Sequence, residues 1–307
     1  AQVLQRFAWA DGLSTYLSDA YRGGMVTNFL LSAFAIIGGV SYLPFASPDS
    51  KWPFALFEFL LLVAILGITS VGRKRRWHGR WFETRRVAEY FRHAPILLLL
   101  GVARSPGRWP RGSDTQWPEH YARLALRELG LPRIVVTQAY LRTAFEDLLW
   151  HHATLQRAYH SGKSKRLTTV HHKLDRLSEI LFSLAVAAVA TYLGLVAGSA
   201  LGLIPEATAH NVSKSFTFLG VALPALGGAF AGIRYFGDFE RFAAISDVTA
   251  EKLEAVEQRI KDLAKVADGH IRYAQVADLA HVIDDIVVAE IENWQSVFAG
   301  KQIAVPV

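Results

Sequence analysis

The chain contains no cysteine and a single methionine among its 307 residues. The absence of cysteine excludes disulfide bonds and thiolate metal sites, and it removes the usual indication of the redox compartment. Charged residues make up only 20% of the chain, hydrophobic residues make up 51%, and the mean hydropathy is +0.21. This composition is too apolar for an ordinary water-soluble domain and predicts that a lipid bilayer is the solvent.

The common sequence motifs of enzymes and metal sites are also missing. The chain has no Gly-x-Ser-x-Gly or Gly-x-Gly-x-x-Gly motif, and no His-x-x-x-His or His-Glu-x-x-His pair. Adjacent histidines such as His151 and His152 diverge by about 100° on a helix, so they cannot share one ion. The segment 161–164 resembles the end of a phosphate-binding loop, but Arg157 stands where that loop needs its first glycine. We therefore predict no catalytic site, no cofactor and no metal.

Four apolar stretches are long enough to cross about 30 Å of hydrocarbon, which requires roughly 20 helical residues. They cover residues 25–45, 54–72, 180–204 and 216–236. Short connections join the first stretch to the second and the third to the fourth. The sequence therefore predicts an all-α integral membrane protein with four transmembrane helices in two hairpins, cytoplasmic helical extensions, and both termini on one side.

The distribution of basic residues predicts which side that is. Segment 73–179 holds 21 Lys and Arg against 9 Asp and Glu, whereas the short loops contribute one lysine each, Lys51 and Lys214. Because basic residues are retained in the cytoplasm, we expect a multi-pass protein of the cell inner membrane with both termini cytoplasmic. A basic run directly follows the second span and is expected to contact lipid headgroups, rather than the nucleic acid that a basic patch could also bind. The run comprises Arg73, Lys74, Arg75 and Arg76.

This topology divides the chain into five segments. They are an N-terminal amphipathic helix (1–24), a first transmembrane hairpin (25–72), a basic cytoplasmic helical segment (73–179), a second transmembrane hairpin (180–236) and an acidic C-terminal helical hairpin (237–307). The chain begins without Met and without a signal peptide, so we expect it to be the C-terminal part of a longer protein.

The basic segment is predicted to contain helices at 81–92, 117–130 and 133–160, and one from about residue 167 into the third span. Residues 104–118 are rich in proline and glycine and are predicted to form a loop. The apolar run 96–100 is too short to cross a bilayer, so it is either packed core or a segment lying on the membrane surface.

The C-terminal segment shows two apolar stripes with helical spacing. They are Leu253, Val256, Ile260, Leu263 and Ala267, and then Ile283, Val287, Ile291, Trp294 and Phe298, with a break at Asp268 and Gly269. This segment holds 13 Asp and Glu against 7 Lys and Arg. The excess of acidic residues predicts docking on the basic segment, with a solvated helical hairpin as the alternative.

Small and polar residues inside the spans suggest how the helices pack. Gly194, Gly198 and Gly202 repeat every four residues, and Gly228 and Gly232 do so in the fourth span. Such rows favour docking of the third span on the fourth, or else a contact between subunits. The polar candidates inside the spans are Asn28 and Glu58, and Glu58 is either functional or extended to the interface.

The fourth span carries the residues that we expect to form a gate. Pro224 cannot donate to the carbonyl of Gly220, so the helix is predicted to bend there. Arg234, Asp238 and Arg241 lie four and three residues apart, so Arg234 can pair with Asp238 and either can form a ring of charge in an oligomer. The alternative is a tolerated proline and an interfacial arginine. The gate or pore candidates are Gly220, Pro224, Gly227, Gly228, Gly232, Arg234, Asp238 and Arg241.

Residues 81–92, with the pattern Arg-x-x-Ala-Glu-x-x-Arg from Arg85 to Arg92, resemble the helix that follows the first hairpin in the SLATT family, the SMODS and SLOG-associating transmembrane effector domains. Further similar pieces are 9–11 with 21–22, 156–160 with 171–177, 223–227 with 232–241, and Glu290 with Trp294. The resemblance implies a pore-forming effector of bacterial defence that works with a nucleotide-sensing or nucleotide-making module. The sequence departs from the family in its four predicted spans, and no sensor domain is recognised within residues 1–307.

Our leading hypothesis is therefore a homo-oligomeric channel or pore-forming effector, gated through its cytoplasmic helices by a nucleotide-sensing domain that is N-terminal or separately encoded. A non-conducting membrane anchor or signalling scaffold for such a sensor is the alternative. A membrane enzyme or transporter would need more ionisable residues inside the spans than Glu58. We expect the lipid bilayer and further copies of the chain as partners, and no nucleic acid.

Overall fold

The computed structural model describes residues 2–46, 50–104, 116–130, 132–267, 270–298 and 303–306, and within these ranges it contains helices and no strand. The predicted all-helical class is confirmed. The elements are α1 (Gln2–Val40), α2 (Tyr42–Phe45), α3 (Trp52–Lys74), α4 (Trp77–Leu99), α5 (Trp117–Leu129), α6 (Gln138–Thr143), a π-helical segment (Ala144–Trp150), α7 (His151–Ala200), α8 (Glu206–Gly237), α9 (Phe239–Ala264) and α10 (Tyr273–Phe298).

Four of these helices, α1, α3, α7 and α8, are long and apolar enough to cross a membrane, which indicates a membrane protein. Two of them are longer than the sequence predicted. Helix α1 runs without a break through the predicted boundary at residue 24, and α7 runs through the predicted gap between 160 and 167. Helix α7 has 50 residues and is about 75 Å long at 1.5 Å per residue. The Gly and Ser residues at these two boundaries each weaken a helix by only about 1 kcal/mol, so neither boundary ends its helix.

Glycines end two helices at turns that need a left-handed residue. Gly101 (φ 69°) follows α4, and Gly202 (φ 71°) follows α7. In both turns the next amide bonds back across the helix end: Val102 N donates to Leu97 O, and Leu203 N donates to Gly198 O, each at 2.9 Å. This pattern is the Schellman motif, which satisfies carbonyls that the helix leaves free. Gly202 therefore terminates α7 and does not extend the predicted row of packing glycines.

Helix α4 continues through Pro95 to Leu99, beyond the predicted end at residue 92. Leu97, Leu98 and Leu100 are buried within the protein. Of the two alternatives for the run 96–100, packed core is therefore correct and a segment on the bilayer is wrong.

The chain before α7 also differs from the prediction. Residues 133–137 are not helical, and α6 begins at Gln138 because the Thr137 side chain accepts a hydrogen bond from Tyr140 N and caps the helix. Helix α5 matches the predicted helix at 117–130. The predicted loop at 104–118 falls mostly on 105–115, outside the described residues, as does the predicted break at Asp268 and Gly269.

The chain forms two compact units. The first, here called the polar unit, comprises Ala1–Ser18, Trp77–Thr168 and Glu240–Lys301. Its main core includes Phe145, Leu253, Ile260 and Ile283, which are at most 1% exposed. Ion pairs also join its basic and acidic segments: Arg157 Nε lies 2.6 Å from Glu257 Oε2, and Lys163 Nζ lies 3.1 Å from Glu290 Oε1. The predicted docking of these two segments is confirmed.

The second unit, here called the span unit, comprises Asp19–Arg76, Thr169–Phe239 and Gln302–Val307. Its helices bury little of their apolar surface against one another. In α3, for example, Phe59, Leu60 and Leu66 are each more than half exposed. An outward row of large apolar side chains is the surface expected of a helix that faces lipid.

Candidate functional site

The predicted gate region lies in the middle of α8, which is continuous from Glu206 to Gly237 and contains Pro224. The proline removes one helical hydrogen bond, and its ring crowds the carbonyl of Gly220 one turn earlier. Gly220 has no side chain, and a Cβ atom added there would lie 3.6 Å from Val189 Cγ2 of α7. Helix α8 therefore contacts α7 at the level where its own hydrogen bonding is weakest.

The glycines that follow the proline point in three directions. Gly227 faces α7, where an added Cβ would lie 3.5 Å from Ser178 O. Gly232 faces α1, where an added Cβ would lie 2.6 Å from Phe29 Cδ1, so a larger residue would displace the ring. Gly228 has no described atom within 4 Å of an added Cβ. Docking of the third span on the fourth thus uses Gly220 and Gly227, while Gly228 lies on an open face.

The structure pairs Arg234 with a residue that the sequence analysis did not select. Helix α8 ends at Gly237, and Asp238 adopts the left-handed conformation (φ 45°, ψ 36°) before α9 begins at Phe239. The predicted continuous helical face through Arg234, Asp238 and Arg241 is therefore wrong. Arg234 instead forms an ion pair with Asp175 on α7. This ion pair joins the third and fourth spans.

The two polar candidates inside the spans both contact a neighbouring helix. Asn28 of α1 is fully buried, and its Nδ2 donates to Thr69 Oγ1 of α3 at 2.9 Å and to the carbonyl of Ala304 at 3.4 Å. Glu58 of α3 lies against the backbone of α1, with its Cδ 2.9 Å from where a Cβ on Gly39 would be. Both residues therefore help to pack α1 against α3.

The basic run at the end of α3 is exposed. Arg73 and Lys74 lie in the last turn of α3, and Arg76, with a positive φ of 50°, follows the C-cap residue Arg75. Arg73 nevertheless has a specific partner, because its Nε donates to the carbonyl of Ile303 at 3.0 Å. The predicted role of the run in lipid contact stays a prediction.

A buried group of ionisable side chains in the polar unit was not selected from the sequence. We call it the Glu89 cluster, and it comprises Arg85, Glu89, Arg92, His93, His152, His160, Lys163 and Glu290. At its centre Glu89, only 1% exposed, has Oε1 at 2.6 Å from Arg85 and 3.3 Å from Arg92. Its Oε2 lies 3.9 Å from His93 Nε2. Glu89 therefore pairs with two cations of its own helix in a buried environment, and His93 Nε2 lies beyond hydrogen-bonding distance.

The rest of the Glu89 cluster joins α4 to α7 and α7 to α10. His93 Nδ1 and His152 Nε2 are hydrogen-bonded at 2.9 Å, so one of the two rings donates and the other accepts. On the next helix pair, Glu290 accepts from Lys163 at 3.1 Å and lies 3.4 Å from His160 Nδ1. Three helices far apart in sequence are thus fixed together by one polar network.

Burial keeps the histidines of the Glu89 cluster neutral. Burial, reinforced by Arg92, lowers the pKa of His152 to about 4. Burial and the charge of Lys163 lower the pKa of His160 to about 3. Burial also lowers the pKa of His93 well below its usual range and raises that of Glu290. Near neutral pH the cluster therefore contains uncharged imidazoles between paired ions.

A sequence signal for this cluster existed. His152, Gln156 and His160 follow one another at four-residue steps, so they lie on one face of α7, and that face is largely buried. Polar residues on a buried helical face indicate a polar network with partners from other helices. The partners themselves could not be identified from spacing. Among the described residues, no three or more His, Asp or Glu side chains are placed to hold a metal ion.

Comparison of the chain with protein-family models, with curated proteins and with solved structures finds no match. The functional interpretation therefore depends on the residues and geometry described above.

Proposed function

We propose that this protein is a subunit of a homo-oligomeric membrane channel or pore-forming effector that is gated through its polar unit. In this proposal α1, α3, α7 and α8 cross a bacterial inner membrane as two hairpins, and the polar unit and both termini lie in the cytoplasm. The side of the polar unit follows from the positive charge of segment 73–179. The resemblance to SLATT effectors supports the same function.

The proposal depends mainly on three features of α8: its internal proline, its open face and its ion pair with α7. Pro224 weakens the helix in its middle, and Gly228, one turn later, presents an open face. The Arg234–Asp175 ion pair fixes the end of the same helix to α7. A helix with a weakened centre and a fixed end can bend while the end stays in place, which is what a gate requires.

The connections of α8 and α7 provide a route from the polar unit to this gate. After the single left-handed residue Asp238, the chain continues directly into α9, whose Leu253 and Ile260 belong to the core of the polar unit. Helix α7 begins in the polar unit and includes the third span without interruption. A change in the polar unit can therefore reach α8 through the covalent chain.

Oligomerisation follows from the room needed for a water-filled path. Four helices of one chain pack on one another, whereas a symmetric ring of subunits encloses a path on its axis. The open face at Gly228 and the exposed apolar faces of the spans are available to lipid or to a second copy. A nucleotide-sensing module, either N-terminal or separately encoded, is the partner that we propose for the polar unit.

Purified chain in liposomes is expected to release trapped ions, and its mass in nanodiscs is expected to be a multiple of 34.0 kDa. The reason is that the proposed path exists only between subunits. Flux should be measured with and without the sensor module. Membrane insertion with no flux under either condition would favour the anchor or scaffold, and a monomer that conducts would rule out the ring.

Variants of α8 are expected to change conduction if this helix is the gate. Pro224→Ala restores a helical hydrogen bond and stiffens α8, so we expect flux to change by about tenfold, the effect of a bias of ~1.4 kcal/mol on the closed–open equilibrium. Gly228→Leu fills the open face and should change flux similarly. Arg234→Glu should alter flux or ion-sign preference, and the double change with Asp175→Arg should restore both.

The matched control is Gly194→Leu on α7, because Gly194 also has no described atom within 4 Å of an added Cβ. All variants should be compared at equal membrane insertion. If the α8 variants conduct like the parent with unchanged selectivity, the gate lies elsewhere, and the region of Asn28, Gly38 and Gly39 on α1 becomes the next candidate.

A further inference from the structure

The segment Ile303–Pro306 is non-helical and belongs to the span unit, although α10, which precedes it in the chain, belongs to the polar unit. Ile303 is only 3% exposed, whereas Val305 is 38% exposed. Burial therefore decreases from Ile303 to Val305 and does not alternate, since residues two apart in an extended chain would share a face. The segment packs into the span unit through Ile303.

Side chains from two spans hold the backbone of this segment. Arg73, at the end of α3, donates from Nε to the carbonyl of Ile303 at 3.0 Å. Asn28 of α1 donates from Nδ2 to the carbonyl of Ala304 at 3.4 Å and to Thr69 Oγ1 at 2.9 Å. The segment, α1 and α3 are thus joined by one group of hydrogen bonds.

The position of Asn28 makes these bonds significant. Asn28 is fully buried and lies about one turn inside the first apolar stretch, and Thr69 lies at the corresponding level of the second. A buried amide is costly unless it is hydrogen-bonded, and non-helical backbone at this depth is tolerated only where protein groups satisfy it. Asn28 Nδ2 therefore satisfies the carbonyl of Ala304, while Asn28 Oδ1 is buried without a hydrogen bond among the described residues.

We propose that segment 303–306 is a releasable latch that ties α1 and α3 together at the level of Asn28 and Arg73, and that its release accompanies opening. The latch contact is inferred from the geometry alone, whereas its role in opening rests on the proposed channel function. Release is feasible because two side-chain hydrogen bonds and the buried Ile303 hold the segment, while Asn28 and Thr69 still bond to each other without it. Phe298, the last residue of α10, is five residues before Ile303, and five Cα–Cα steps extend to at most about 18 Å. A movement of α10 that would exceed this length must therefore pull on the segment.

Thiol labelling tests the latch contact directly, since the chain has no native cysteine. In the full-length protein in nanodiscs, Ile303→Cys is expected to react with a maleimide at least about tenfold more slowly than Val305→Cys, because of its burial. Arg73→Gln or Asn28→Leu should bring the two rates to within about threefold. Lys74→Gln and Thr27→Val are the matched controls, because these neighbours are exposed, and they should preserve the difference.

Limited proteolysis of the unmodified segment is the second measurement, because the cysteine could itself loosen the contact. Cleavage within residues 303–306 should be faster in Arg73→Gln than in Lys74→Gln, because a protease needs the backbone to be released. Equal labelling of Ile303→Cys and Val305→Cys in the parent would overturn the latch, as would protection that persists in both Arg73→Gln and Asn28→Leu.

Ion flux tests the link to opening. Arg73→Gln is expected to raise basal flux from liposomes by about tenfold relative to Lys74→Gln, because a closed-state contact is lost. Equal flux in the two variants would overturn the role in opening. Absence of flux from every variant and from the parent would refute the channel function and the role in opening together, while labelling would still decide whether the latch exists.

Discussion

Replacement of Glu89 by alanine is expected to lower the free energy of unfolding by about 3 kcal/mol, the effect of removing one partner from a buried ion pair. Glu89 is 1% exposed and neutralises Arg85 and Arg92, whose side chains are less than one-fifth exposed. Without the carboxylate, both guanidinium groups share Asp11 as a remaining anionic partner, at 3.4 Å from Arg85 and 3.1 Å from Arg92, and the buried side of the site loses its negative charge. The change should lower the unfolding midpoint by about 5 °C in a chain of this size.

Glu128→Ala is the matched control for this prediction. Glu128 pairs with Arg6, but its side chain is 66% exposed, so its removal should cost less than about 1 kcal/mol. Both variants should be unfolded thermally in nanodiscs and followed by tryptophan fluorescence, since Trp81 and Trp294 lie in the same unit. Equal midpoints for the two variants would show that the Glu89 cluster contributes no more than a surface ion pair.

The stability of the polar unit is expected to fall as the pH is lowered from 7 to 5. The folded-state pKa values of His152 and His160 are about 4 and about 3, below the usual histidine value of 6.5. Below pH 6.5 the unfolded chain therefore binds protons that the folded chain excludes, which favours unfolding. The loss begins near pH 6.5, amounts to roughly 2 kcal/mol per histidine at pH 5, and is complete near the folded-state pKa values.

The surrounding charges set the size of this effect. Arg92 and Lys163 oppose protonation of the histidines, whereas Glu89 favours it. The raised pKa of Glu290 acts in the opposite direction, because that carboxyl group is stabilising when protonated and loses this contribution as the pH rises.

The midpoint of thermal unfolding should be measured between pH 5 and pH 7. His160→Gln should reduce the change in midpoint, and His120→Gln, at an exposed position, should not. A flat profile in the parent would contradict the prediction.

The sequence by itself determined the helical class, the number of apolar spans and the docking of the acidic segment on the basic one. These properties depend on composition and on spacing within one helix. A span needs roughly 20 apolar residues because hydrocarbon is about 30 Å thick, and this requirement can be counted locally. The turn at Gly202 is also local, because a left-handed residue favours glycine, but the four-residue spacing wrongly assigned this glycine to a packing row.

Only the tertiary structure decided the partners of the polar side chains. The four-residue spacing predicted Asp238 as the partner of Arg234. The observed partner is Asp175, 59 residues earlier, because Asp238 leaves the helical conformation and α7 packs on α8. The Glu89 cluster likewise combines residues from α4, α7 and α10, and the bond from Arg73 to Ile303 spans 230 residues. Helical periodicity shows which side chains share a face. It does not show which helix that face will meet, since this depends on the packing of the whole chain.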